Sequence, residues 1–144
     1  MSVVFDALRG HLLGQAAFSG ITVSPYIARI EDGAAQSRGV SISVSDEGPF
    51  GERRFRGRAS SLNQATVSVA INTKDYAETE RLVAWFTDLD RNWRRPVKWR
   101  SQPASDGTVL DIAVLSFSVL GVAREETAER YFRATVNFEI TYRR

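Results

Sequence analysis

At 144 residues, 43% apolar and 25% charged, the chain has the size and composition of one globular domain with a single core. It contains no cysteine, which excludes a disulfide framework, a thiolate zinc site and a cysteine nucleophile together and is consistent with folding in a reducing cytoplasm. The net charge of +2 is unevenly spread: residues 1–50 balance to −2, residues 51–100 to +5 and residues 101–144 to −1, so any acidic partner or phosphate backbone is met by the middle third.

The first element reads as a helix over residues 3–13. Ser2 is placed to cap it, Val4, Phe5, Leu8 and Leu12 fall on one face, Gly10 weakens it and Gly14 ends it. Asp6, Arg9 and His11 interrupt its apolar run, unlike the uninterrupted core of a signal peptide, and no run approaches the ~18 apolar residues that span a bilayer. After Pro25, Ile27 to Ile30 reads as a short strand, closed by a turn at Asp32-Gly33.

Two alternating segments follow. Val40, Ile42 and Val44 alternate with serines, and Val67, Val69 and Ile71 alternate with Thr66, Ser68, Ala70 and Asn72, each the pattern of a half-buried strand. Between them, residues 46–63 hold Gly48-Pro49, Gly51, Gly57 and four arginines. They read as a flexible hairpin arm or loop, longer than ordinary hairpin connections. Asp75 and Glu78 have capping-box spacing, and Leu82, Phe86, Leu89 and Trp93 continue as one helical stripe that Pro96 ends. Leu110, Ile112 and Val114 alternate, then Leu115, Phe117 and Val119 alternate in the opposite phase, which predicts a bulge near Val114. Gly121 to Glu129 reads as a connection, and Phe132 to Tyr142 is the longest alternating run. The order helix, strands, helix, strands predicts a single α+β domain over residues 1–144. Its sheet is antiparallel or mixed, flanked by two helices.

The chemistry-bearing residues are sparse. His11 is the sole histidine and has no nucleophile-elbow context, no phosphate-binding glycine loop is present, and the acid pairs Asp46-Glu47 and Glu125-Glu126 read as solvated loop residues. Two basic stretches remain. In the arm, Phe50, Arg53, Arg54, Phe55, Arg56 and Arg58 read either as a docking segment for an acidic protein or a phosphate backbone, or as a solvated loop. From Arg91 to Arg100, four further cations (Arg94, Arg95, Lys98, Arg100) interleave with Trp93, which continues the helix stripe toward the core, and Trp99, which suits either the core or an interface.

The element order resembles the tail terminator (tail completion) proteins of long-tailed bacteriophages. The likeness is carried by the opening helix Val4-Phe5-Asp6-Ala7-Leu8-Arg9, by the strand Ala65–Ile71 running into the helix from Asp75 to Val83, and by the final strand Ala134–Arg143 at the end of the chain. The resemblance implies a small α+β structural protein without catalytic residues or cofactors. It assembles in the host cytoplasm into a ring, typically hexameric, on the virion tail. There it meets the tail tube protein and a head–tail connector or neck protein, with DNA passing through the lumen. The alternatives are a head-to-tail neck or stopper protein, and a nucleic-acid-binding module that uses the arginine clusters.

Overall fold

The computed structural model describes residues 2–24, 38–49, 62–126 and 132–144. Helix α1 spans Val3–Leu13, a 3₁₀ turn follows at Ala16–Phe18, and α2 spans Tyr76–Arg91. The strands are β1 (Thr22–Ser24), β2 (Arg38–Pro49), β3 (Asn63–Thr73), β4 (Val97–Arg100), β5 (Asp111–Glu126) and β6 (Phe132–Arg143). They form one sheet in the order β1-β2-β3-β6-β5-β4. Every neighbouring pair is antiparallel except β1 with β2, so the sheet is mixed and the fold is α+β.

The long central pair sets the register. Val67, Val69 and Ile71 of β3 stand opposite Phe138, Val136 and Ala134 of β6, and all six are fully buried. Both helices cover this one face. Leu82 and Phe86 of the predicted stripe are fully buried and Leu89 packs against the core. The opposite face carries Ser43, Thr66, Ser68, Thr135, Asn137, Glu139 and Ser118. On it Ser68 donates a hydrogen bond to Asn137 Oδ1 at 2.8 Å.

Aromatic rings tie the core together. His11 stacks on Trp99 at 5.6 Å and meets Trp85 at 6.0 Å; Trp85 meets Phe86 at 4.9 Å. Phe86 stacks on Phe138 at 5.8 Å, Phe138 meets Phe117 at 4.6 Å, and Phe117 meets Trp99 at 6.4 Å. The six rings form a closed circuit through α1, α2, β6, β5 and β4. Trp99 is therefore a core residue, 0% exposed.

α1 reaches β4 only because residue 10 is glycine. A Cβ built there would lie 2.2 Å from the Arg100 carbonyl oxygen and 2.7 Å from Ser101 Cα. The residue that weakens the helix on propensity is the one that lets it touch the sheet backbone.

The bulge predicted near Val114 is present, as a register shift between Val114 and Ser116, with a second between Val119 and Gly121. Other expectations are corrected. Residues 46–49 belong to paired strand: Gly48 stands opposite Gln64 and Pro49 opposite Asn63, past a register shift at Ser45/Gly48 where Asp46 has φ 53°. The shift turns Glu47 toward α1. Its carboxylate accepts from Ser2 Oγ at 2.6 Å, from the Tyr142 hydroxyl at 3.0 Å and, at 3.4 Å, from the Val4 amide. Glu47 is thus an exposed strand carboxylate at the start of α1, well placed against the positive end of the helix dipole, and not a loop acid. Residues 121–126, expected as a connection, continue β5 as far as Glu126. The short strands β1 and β4 were not foreseen. The Ile27–Ile30 strand and the Asp32-Gly33 turn fall outside the described residues.

Two measurements check this packing. Gly10→Ala should destabilise by about 1–3 kcal/mol or more, because helix or strand backbone must move, whereas Gly121→Ala, with nothing within 4 Å of its Cβ, should change the denaturation midpoint by less than about 0.5 kcal/mol. Burial also lowers the pKa of His11 below its ordinary 6.5. The unfolded chain then binds the proton more readily than the folded one, so stability falls as pH drops below about 6.5 toward the folded-state value. His11→Gln should abolish that part of the acid-induced drop in midpoint.

Candidate interaction surfaces

The sequence-predicted partner residues Phe50, Arg53, Arg54, Phe55, Arg56 and Arg58 lie outside the described residues. The second basic stretch is described, and its two tryptophans are taken into the core. Trp93, just beyond the Asn92 cap of α2, stacks on Phe117 at 5.8 Å and donates from Nε1 to the Leu115 carbonyl at 3.2 Å. Trp99 belongs to the ring circuit. The intervening Arg94, Arg95, Lys98 and Arg100 are exposed. Alternation along β4 thus separates aromatic from basic side chains, and no base-stacking platform is built there.

Among the described residues no group of three or more His, Cys, Asp or Glu is arranged to hold a metal ion, and no helix is long and apolar enough to cross a membrane. A cleft of about 190 Å³ lies at the start of α2, its lining mainly apolar and including Tyr76 and Phe132. Its geometry follows from the β3–α2 junction. Thr73 Oγ1 accepts from the Asp75 amide at 3.1 Å and lies 2.6 Å from Thr79 Oγ1, and the Thr79 hydroxyl contacts the Phe132 carbonyl at 3.2 Å. Asp75 Oδ1 caps the helix by accepting from the Ala77 amide at 3.0 Å. These bonds fix the first turn of α2 against β6, and Tyr76 and Phe132 meet edge to face at 5.7 Å.

Two ion pairs rim the cleft. Arg124 of β5 forks onto Glu80 at 2.6 and 3.1 Å, and Arg133 of β6 reaches Glu125 at 3.3 Å. The Glu80 carboxylate raises the Arg124 pKa above its ordinary value. A large, 58% exposed aromatic in a concave apolar patch ringed by paired charges is the anatomy of a protein-docking spot. The pattern of the sequence did not single it out. Tyr76 lies six residues before Leu82, about 120° round the helix from the core stripe, and an aromatic off the stripe was the available signal.

A second surface is the outer edge of β5. β4 pairs only with Asp111–Val114. Beyond that, α2 and the residues just after it supply two caps: Trp93 to the Leu115 carbonyl, and Asp90 Oδ2, which accepts from the Val119 amide at 3.0 Å. From Leu120, itself 59% exposed, to Glu126 no described strand lies alongside. An open strand edge is a template for pairing with another chain.

No family model matches the sequence, and no curated protein matches it. A solved structure does. A chain of the "Virion of native gene transfer agent (GTA) particle" superposes with a TM-score of 0.52 at 13% identity, over 98% of this chain and 92% of that one. At that identity the likeness is one of fold, and it spans the whole domain.

If the cleft serves docking rather than folding, Tyr76→Ala should move the denaturation midpoint by less than about 1 kcal/mol, because the side chain is mostly solvated. The same variant should weaken association with the partner by about 2 kcal/mol or more, read by sedimentation or calorimetry. A large loss of stability with unchanged association would make Tyr76 a structural residue.

Proposed function

We propose that the chain is a structural subunit of a phage-like particle and, within it, the tail terminator: a ring on the end of the tail tube that stops tube growth and presents the surface to which the head attaches. The observation that carries the reading is the fold held in common, along nearly the full length of both chains, with a component of a gene transfer agent virion. The finer role rests on the order of elements, an opening helix, a strand running into the second helix, and a long final strand, which is the pattern of terminators. The role is architectural, and the partners are further copies of the chain, the tail tube protein and the head–tail connector or neck protein.

The physical features suit such a subunit. One face of the sheet is committed to the core, which leaves a polar face, a β5 edge that no described strand covers beyond Leu120, and the Tyr76–Phe132 cleft for neighbours. A cyclic assembly needs two different patches on each subunit that match across a rotation, and the edge and the cleft are two such patches. The arm bearing Arg53, Arg54, Arg56 and Arg58 is proposed to reach the tube or the neck.

Electron microscopy of purified particles with this chain tagged tests the reading. The expected image is a closed ring at the head-proximal end of the tail, present on headless tails as well. Label at the distal tip or along the tube would overturn the assignment to virion termination. Label that appears only on filled heads would make the chain a neck or stopper protein instead.

A further inference from the structure

We propose that the corner of the sheet formed by β4, the turn that leads into it and the last residues of β6 binds the phosphate backbone of a nucleic-acid duplex. The chain order does not reveal this corner, because it joins residues more than forty positions apart. Lys98 of β4 and Arg143 of β6 both stand opposite Ala113 of β5. Residues opposite one another share a face, so the two cations lie in one row, about 10 Å apart across two strand spacings, with only a methyl group between them. Arg94 and Arg95 are exposed in the turn just before Val97, and Arg144 follows Arg143.

The acids nearby are already engaged. Asp111 holds Arg100 at 2.8 Å, with Lys98 only within its longer-range field, and Asp88 holds Arg91 at 3.8 Å. Arg94 donates to the carbonyls of Trp93 at 2.9 Å and Arg91 at 3.3 Å, contacts that leave its charge unneutralised by any carboxylate. Among the described residues no carboxylate forms an ion pair with Arg94, Arg95, Lys98 or Arg143.

The absence of anchors decides the class of partner. A protein interface draws its affinity from buried aromatic or aliphatic side chains at its centre. Both tryptophans of this segment are turned inward, and the exposed large apolar residues Leu13, Tyr76, Val109 and Leu120 belong to neither strand segment of the corner. Cations on a rigid sheet without apolar anchors, base-stacking rings or base-reading amides fit a polyphosphate chain, which is bound through charge and counterion release irrespective of sequence. The inference stands on the charge geometry of the single chain and holds whether or not the chain forms a ring.

Fluorescence anisotropy of the full chain with short labelled DNA duplexes of two unrelated sequences tests it. The expected result is equal affinity for both duplexes and a linear fall of log K with log salt. Lys98→Ser with Arg143→Ser should weaken binding to both and reduce the magnitude of the salt slope by about 2. The control pair Lys74→Ser with Arg81→Ser, which removes the same charge from the region where β3 runs into α2, should leave the slope unchanged. The proposal is overturned if the wild-type chain does not bind, if the two double variants change the slope equally, or if the Lys98/Arg143 variant keeps the wild-type slope. It is also overturned if polyglutamate displaces the duplex at equal charge concentration, which would assign the corner to an acidic protein.

Discussion

Six rings on five elements hold this molecule in shape. The circuit from His11 through Trp85, Phe86, Phe138 and Phe117 to Trp99 links both helices to the β4, β5 and β6 half of the sheet. Aromatic pairs gain beyond their buried area, but their geometry has to be met simultaneously. That requirement explains Gly10. A side chain at that position would lift α1 from the Arg100–Ser101 backbone and part His11 from Trp99. It also explains the tether at Trp93, which stacks on Phe117 outside the circuit and anchors the end of α2 to the Leu115 carbonyl.

Because the circuit lies on one face of the sheet, the rest of the surface is released from the work of folding. Two helices cover one face of six strands, and the other face is polar, with short hydroxyl and amide side chains at its centre and charged side chains, Lys98, Arg100, Asp111 and Arg143 among them, toward β4. The edge of β5 is capped by Asp90 of α2 and by Trp93 just beyond it, no described strand covers it further on, and the first turn of α2 leaves Tyr76 outside. A sheet with one committed face and free lateral features is well suited to an assembly subunit, whose neighbours must meet a rigid surface. Long sheets with open edges otherwise invite aggregation. The basic corner is the β4 end of that same polar face, with charge in place of apolar anchors.

The parts of the fold legible in the sequence are those with unbroken periodicity. Helix α1, the β2 and β3 cores, α2 and β6 each carry several apolar residues in step, and the phase slip at Val114 announced its bulge. What escaped did so for identifiable reasons. β4 is four residues long and half charged, so Trp99 alone stood for a buried strand. Residues 121–126 carry Gly121, Ala123 and three charges, a composition of turns, yet they pair with β6 along their length. Gly48-Pro49 reads as a turn but sits in a paired strand after a register shift, and that shift brings Glu47 from a presumed loop to the Ser2-capped start of α1. The surface sites were harder still. The cleft depends on Tyr76 and Phe132, fifty-six positions apart, and the basic corner depends on the register that brings Arg143 opposite Ala113. Composition could locate the basic excess in the middle third, but only strand pairing brings the chain end to it.

The claim on which the account turns is that folding uses one face of the sheet and assembly uses what folding leaves free. Amide hydrogen exchange, compared between the isolated chain and the assembled particle, tests it directly. The account predicts that amides of Val67–Ile71 and Val136–Ile140 exchange slowly in both states, and that those amides of Leu120–Glu126 in β5 directed away from β6 exchange fast in the isolated chain and become protected on assembly. Equal exchange of Leu120–Glu126 in the two states, or protection gained only at the β3–β6 centre, would contradict it.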